Sequence, residues 1–278
     1  MIEFVLVIIS IVWFSFASIQ DLKTREVSDW LSYSLIIIGL IFYLFKSIIF
    51  KDIIFILQSL VISLSLFLAG SLMYYLRQWG GGDVKLLAAL GALFPLYPEE
   101  LLRYFNPNLD LPFALILVLN IIIFGSLQSL IYIFYLVKKN NFKVDFKLNK
   151  IYLLISLFLI LITFFLDDFL MKILLLIMSL MIFIYPNFKS LIFSIENKLM
   201  IKKIPIDKLT EGDWVIKDIY YKNKLLYNKN NPGISISQIK LLKKFKIKDV
   251  IIKEGMPFIP SFLIALIVSL IFGNLLKI

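Results

Sequence analysis

Long, nearly uninterrupted apolar blocks constrain this chain more than any other feature. Eight can be marked, roughly 2–19, 30–50, 53–76, 84–97, 112–137, 150–166, 169–186 and 258–276. Leu, Ile and Phe occur on all sides of each, so none reads as an amphipathic surface helix. Segments of this length and apolarity are the mark of membrane spans, and lipid forces their backbone into helices. Overall the chain is 60% hydrophobic with a mean hydropathy of +0.92, where a soluble domain is about 45–50% apolar. The expected fold is an all-α polytopic membrane protein of about eight transmembrane helices. The first segment carries Glu3 instead of a basic stretch and lacks a small-residue cleavage site before Gln20 and Asp21. It reads as a retained helix.

Lys and Arg set the expected orientation. With the N-terminus outside, inner loops hold 24 of the 29 basic residues: Lys23, Arg25, Arg77, Lys85, five Lys in 138–150 and fifteen in 187–256. Long loops weigh little in this rule, but the split without 187–256 is still nine to five. Both ends are therefore expected outside.

Residues 187–256 are polar and Lys-rich yet keep periodic apolar positions, so a small α+β cytoplasmic domain inserted before the last helix is expected. The domains would be 1–186 (helices 1–7), 187–256 (the insertion) and 257–278 (helix 8). Trp214-Val215-Ile216 and Leu225-Leu226-Tyr227 suggest the two strands of a hairpin around Tyr221–Lys224. Ser235 or Ser237 suits the N-cap of a short helix through Phe245, and Val250–Ile252 reads as another strand. The fifteen Lys of this segment point toward membrane lipids as partners. The net charge of +10 is read as membrane topology, with no nucleic-acid partner.

Cys and His are both absent. That removes disulfides, thiol nucleophiles and zinc sites built from those ligands. No metal and no cofactor are expected, and any catalysis must use residues such as Asp, Glu, Lys, Tyr or Ser. Two inner loops carry candidates: Gln20 through Asp29 after helix 1, and Trp79-Gly80-Gly81-Gly82-Asp83-Val84-Lys85 opening helix 4. Three successive glycines remove side chains where backbone must bend or approach something closely. Asp83 then starts a helix, where a plain N-cap is one reading. Helix 4 has few apolar residues before Pro98 and Glu99, so Asp83 is expected below the inner interface, with Asp21 near the same level. Carboxylates at that depth are costly and suggest function. Two facing carboxylates that share a proton form an aspartyl protease dyad, which needs neither His nor Cys. A proton- or cation-coupled transporter using Asp21 and Asp83 as ion sites is the alternative, although its usual internal repeats are missing.

The block Gly80-Gly81-Gly82-Asp83-Val84-Lys85-Leu86-Leu87-Ala88-Ala89-Leu90-Gly91 resembles the Gly-x-Gly-Asp block of type IV prepilin peptidases. Asp21-Leu22-Lys23-Thr24-Arg25-Glu26-Val27-Ser28-Asp29 resembles the first catalytic loop of the archaeal branch, which includes preflagellin peptidases. Met256-Pro257-Phe258-Ile259-Pro260 looks like the Pro-rich approach to that family's last helix. The resemblance implies a membrane-embedded aspartic endopeptidase of the cell membrane, with its active site toward the cytoplasm. It would cut the short basic leader of prepilin-like or preflagellin precursors. Asp21 and Asp83 take the catalytic places. Gly80, Gly82, Lys85, Arg25, Glu26 and Asp29 are substrate-binding or supporting candidates. The four-cysteine zinc motif of bacterial members has no counterpart, so methyltransferase activity is not expected. Oligomeric state is not readable from the sequence.

Overall fold

A computed structural model describes residues 2–142, 149–222, 224–231 and 233–277. Residues 143–148 of the Lys-rich 138–150 loop, and Asn223 of the expected hairpin turn, lie outside the described residues. Among the described residues, nine α-helices and five short strands follow one another in chain order. Five helices are long and apolar enough to cross a membrane: α1 (Ile2–Thr24), α2 (Asp29–Phe50), α3 (Ile54–Tyr75), α5 (Phe113–Lys139) and α7 (Phe169–Lys198). The chain is a multi-pass membrane protein of mostly helical structure. The expected eight spans are not all of spanning length. Of the other apolar segments, α4 (Gly81–Leu93) has 13 residues, while α6 (Lys150–Thr163) and α9 (Ile259–Phe272) have 14 each. Helix rise makes these about 20 Å long, against a hydrocarbon layer of about 30 Å.

The chain divides into two compact units. The first joins residues 1–132 to 203–278. At its centre is α4, buried at Val84 and at every position from Leu86 to Leu93. Small residues let its neighbours approach. A Cβ on Gly39 of α2 would stand 2.7 Å from the backbone of Ala92, and one on Gly91 would stand 2.8 Å from the backbone of Ser63 in α3. Two serines of α3 add direct bonds, Ser59 donating to the Ala92 carbonyl (2.8 Å) and Ser63 to that of Ala88 (2.9 Å). This is how helices pack where lipid offers no hydrophobic drive: backbones close together, hydroxyls bonded across. A core of Phe14, Leu86, Leu90, Ile116, Leu117 and Phe262 completes the bundle. Asn120 of α5 donates to Ser269 Oγ (2.8 Å) and to the Gly273 carbonyl (2.9 Å), tying α5 to the end of α9.

The same unit holds a small α+β module with its own core, including Leu209, Val215, Tyr227, Leu242 and Val250. Its three-stranded sheet has the order β1 (Ile201–Pro205), β5 (Asp249–Lys253), β2 (Trp214–Val215). The expected hairpin is corrected here: Trp214–Val215 pairs antiparallel with β5, and the hairpin is β3 (Ile219–Tyr221) with β4 (Lys224–Tyr227). The expected short helix is α8 (Ile236–Lys244). Ser235 caps it, and Gln238 reaches back to the Ser235 N–H at 3.0 Å, a capping box.

The second unit, 133–202, centres on the α6–α7 hairpin. Ser179 donates to the Ser156 carbonyl at 3.0 Å, and the rings of Tyr152 and Tyr185 pack at 6.0 Å. The apolar stretch read as 169–186 continues as helix through Pro186 to Lys198.

Candidate active site

Both acidic motifs end up at helix termini of the first unit. Asp21 belongs to the last turn of α1 and is 5% exposed. Its Oδ2 accepts the backbone N–H groups of Phe258 (2.7 Å) and Ile259 (2.9 Å). A carboxylate of α1 thus satisfies orphan donors at the start of α9, whose first turn contains Pro260; helix N-termini favour such negative charge. Asp83 is half-buried in the first turn of α4, and its Oδ2 accepts the Gly80 N–H at 2.8 Å. Gly80, not Asp83, is the N-cap residue. The two carboxyl groups lie within Coulombic reach of each other. Among the described residues, Oδ1 of each accepts no hydrogen bond. Each acid is therefore held through one oxygen and offers the other.

The glycines behave differently from the expectation of a forced bend or close approach. Gly80 has φ −79°, and Gly81 and Gly82 are helical. A Cβ on Gly81 would meet nothing within 4 Å, and one on Gly82 would make ordinary contact with Val27 at 3.5 Å. The space at Gly81, two residues before Asp83, is open.

The supporting candidates do not all converge on the acids. Lys85 pairs with Asp29 at the start of α2 and lies over the Tyr33 ring, so it does not reach Asp83. Arg25 follows the end of α1 with a left-handed backbone (φ 63°). Its guanidinium donates to the Gly255 carbonyl (2.7 Å), approaches Glu254 (3.7 Å) and covers the Tyr132 ring. Glu26 accepts the Thr210 hydroxyl, which also bonds Asp213 at 3.1 Å. Burial pushes the Asp213 carboxyl above the usual carboxylate range, and nearby Glu26 and Glu254 push the same way, against two bonds from Thr210. Arg25 and Glu26 thus fasten the 21–29 loop to the α+β module and the segment that follows it.

Three further residues shape the site in ways their place in the motifs did not specify. Gln20 clasps Ser28 through both its amide oxygen and its nitrogen, closing the loop between α1 and α2. Trp79 packs against Phe258 (5.6 Å) and Phe262 (6.2 Å), covering the start of α9 beside Asp21. Gln128 of α5 donates to the Pro257 carbonyl. Gln20 and Trp79 open the two loops singled out in the sequence, and Gln128 is a polar residue inside an apolar block; their partners are set by tertiary contacts. Among the described residues no group of three acidic side chains is arranged to hold a metal ion.

Residues 8–137 match the model of the type IV leader peptidase family. A preflagellin peptidase of Methanocaldococcus jannaschii is 44% identical over 81 residues, 29% of this chain and 34% of the relative. One of Methanococcus maripaludis is 32% identical over 35% of this chain and 42% of its own length. The chain thus spans less than half of these two relatives. The prepilin peptidase EppA of Methanothermobacter thermautotrophicus is 21% identical, with 99% of this chain and 96% of the relative aligned. The resemblance drawn from the two acidic motifs is thereby borne out: residues 8–137, which carry both, match the type IV leader peptidase family.

Proposed function

We propose that this chain is a membrane-embedded aspartic endopeptidase that removes the short basic leader of prepilin-like or preflagellin precursors at the cytoplasmic face of the membrane. The carrying observation is that Asp21 and Asp83, each anchored through Oδ2 at a helix start, both keep Oδ1 clear of protein partners. In this reading the ionised acid takes a proton from water, whose oxygen adds to the scissile carbonyl carbon. The protonated acid donates to the carbonyl oxygen. Collapse of the tetrahedral intermediate breaks the C–N bond as the leaving amine gains a proton. The pair titrates as one unit, so neither acid owns the shared proton.

Substrate binding follows from the surroundings. The open space at Gly81 gives an extended peptide room close to Asp83. The acidic groups of the 21–29 loop suit a basic leader, and the precursor's apolar helix would lie in the membrane against α1 and α4. The short helices α4, α6 and α9 complete eight crossings with both chain ends outside, so that the α+β module shares the cytoplasmic side with the site.

The test is cleavage of a leader-bearing precursor peptide by purified full-length protein in detergent. Asn retains an oxygen that can accept the N–H bonds now made by Asp but cannot shuttle a proton. Asp21→Asn and Asp83→Asn should each abolish cleavage with folding intact, and the double variant should be little worse than either, because residues that act as a unit are not additive. Substantial turnover by a well-folded Asp83→Asn protein would leave Asp83 as a cap alone and end the aspartic-peptidase reading.

A further inference from the structure

Two arginines leave helix ends in the same uncommon backbone conformation. Arg25 has φ 63° after α1, and Arg77 has φ 58° after α3. A left-handed backbone costs a non-glycine residue about 1–2 kcal/mol, and glycine is the usual choice at this position. Arg25 has evident compensation in its bonds to Gly255, Glu254 and the Tyr132 ring. Arg77 has none: among the described residues its guanidinium makes no ion pair or hydrogen bond. It opens instead onto a cavity of about 320 Å³ between the end of α3 and the α+β module.

The chemistry of that cavity has one sign. Arg77, Lys229 and Lys253 supply cationic groups, Asn230 and Asn231 supply amides, and Trp214 forms part of the wall. Among the described residues no acidic side chain lines it. The Asp218 carboxylate is engaged by the backbone N–H of Lys229 at 2.7 Å. The Lys229 ammonium has no carboxylate partner among the described residues. The Tyr227 hydroxyl, within Coulombic reach of Arg77, is buried without a hydrogen-bond partner among the described residues. The level is also defined. Arg77 stands two residues beyond Tyr75, an exposed aromatic in the last turn of α3, and Tyr and Trp concentrate where membrane meets water.

We propose that Arg77, Lys229 and Lys253, with Asn230 and Asn231, form a binding site for a phosphate group at the membrane interface, of the kind carried by an anionic lipid headgroup or by free phosphate. Arg presents a planar fork of donors to phosphate oxygens, with Lys as a mobile point charge beside it. The volume equals roughly ten waters at about 30 Å³ each, room for a headgroup and part of its hydration. Occupancy would clamp the α+β module to the end of α3, whether or not the chain is a peptidase.

The experiment uses the full chain in a zwitterionic detergent, with thermal unfolding followed while phosphatidylglycerol, phosphatidylcholine or inorganic phosphate is titrated. A ligand that binds only the folded protein raises the transition temperature in a saturable way. The test variant is Arg77→Asn with Lys229→Gln, because Asn tolerates the left-handed backbone. A charge-matched control replaces Lys240 and Lys244 of α8 with Gln. Phosphatidylglycerol should stabilise the parent protein and the control saturably, and phosphatidylcholine should not. In the test variant the apparent affinity should fall roughly fivefold per charge removed. An equal response to inorganic phosphate would assign the site to the free anion, and its absence to the lipid. The proposal is overturned if neither anion acts saturably, or if test and control variants respond alike.

Discussion

At the residue scale, the space around a side chain separates substrate contacts from structural ones. A Cβ at Gly81 meets nothing, and Ala favours helix over Gly by up to about 1 kcal/mol. Gly81→Ala should therefore leave thermal stability unchanged or slightly raised. If the precursor's backbone passes there, kcat/KM should drop roughly tenfold or more, because small misplacements of a reacting bond are costly. Unchanged kcat/KM would show that the open face is not the substrate's. Asp213 offers a pH test. Burial raises its carboxyl above the usual value of 3.8 in the folded protein, so between the two pKa values the folded state holds more proton than the unfolded one. Its contribution is fully present at low pH and lost as pH rises through the folded value. Unfolding temperature should fall over that window, and Asp213→Asn should remove this part of the fall while leaving other titrations in place. An identical pH profile in the variant would refute it. The two aspartates were legible in the sequence because they interrupt apolar blocks, where charge is expensive. The roles of Arg25, Glu26 and Lys85 were not. Their partners Gly255, Thr210 and Asp29 are set by tertiary contacts, and for the first two by contacts across the chain.

At the element scale, α4 is the piece on which the site depends, and its packing can be tested by magnitude. Gly91→Ala would drive a methyl to 2.8 Å from the backbone of Ser63, and overpacking of this kind costs about 1–3 kcal/mol. Ser63→Ala merely removes a hydroxyl bond of 2.9 Å, worth about 0.6 kcal/mol on average in a membrane bundle. Thermal unfolding in detergent should rank Gly91→Ala as clearly the more damaging, and the reverse order would contradict the close α3–α4 approach. Helix existence followed from apolar runs, but two element-level features did not. Trp214–Val215 faced two apolar candidates of similar pattern, and pairing with residues 252–253 instead of 225–227 is a choice between distant partners. The polar residues after Pro186 were read as the start of the inserted α+β domain. They continue α7 instead, as Pro186 stops neither the helix nor its exposed face.

At the scale of the whole molecule, the proposed topology puts the 98–111 segment outside and the α+β module inside. The chain has no native Cys, so single cysteines report cleanly. Asn106→Cys should react with an impermeant maleimide on intact cells, and Asn228→Cys only after lysis. External labelling at position 228 would reverse the orientation and move the site to the other face. What the sequence could not show at this scale is that α4 is enclosed by protein instead of lipid; its 13 residues are short for a span because neighbouring helices surround it.

The connection from β5 to α9 is short and fixed at several points. Glu254 and Gly255 engage Arg25, the Pro257 carbonyl takes the Gln128 amide, and the N–H groups of Phe258 and Ile259 engage Asp21. Within six residues the chain is moored to both ends of a single helical turn, Asp21 to Arg25, whose own ends are joined by the Arg25 N–H to Asp21 carbonyl bond of 2.9 Å. Such a tether has no slack: it transmits displacement of the α+β module to the catalytic candidate instead of absorbing it. One extra glycine after Gly255 would lengthen the line by about 3.5 Å, more than a hydrogen bond tolerates. Both moorings could not then be kept, and cleavage should fail while hydrogen exchange finds the module and the helices as protected as before. Unimpaired cleavage by that insertion would mean the line is slack after all, and that Asp21 keeps its aim without it.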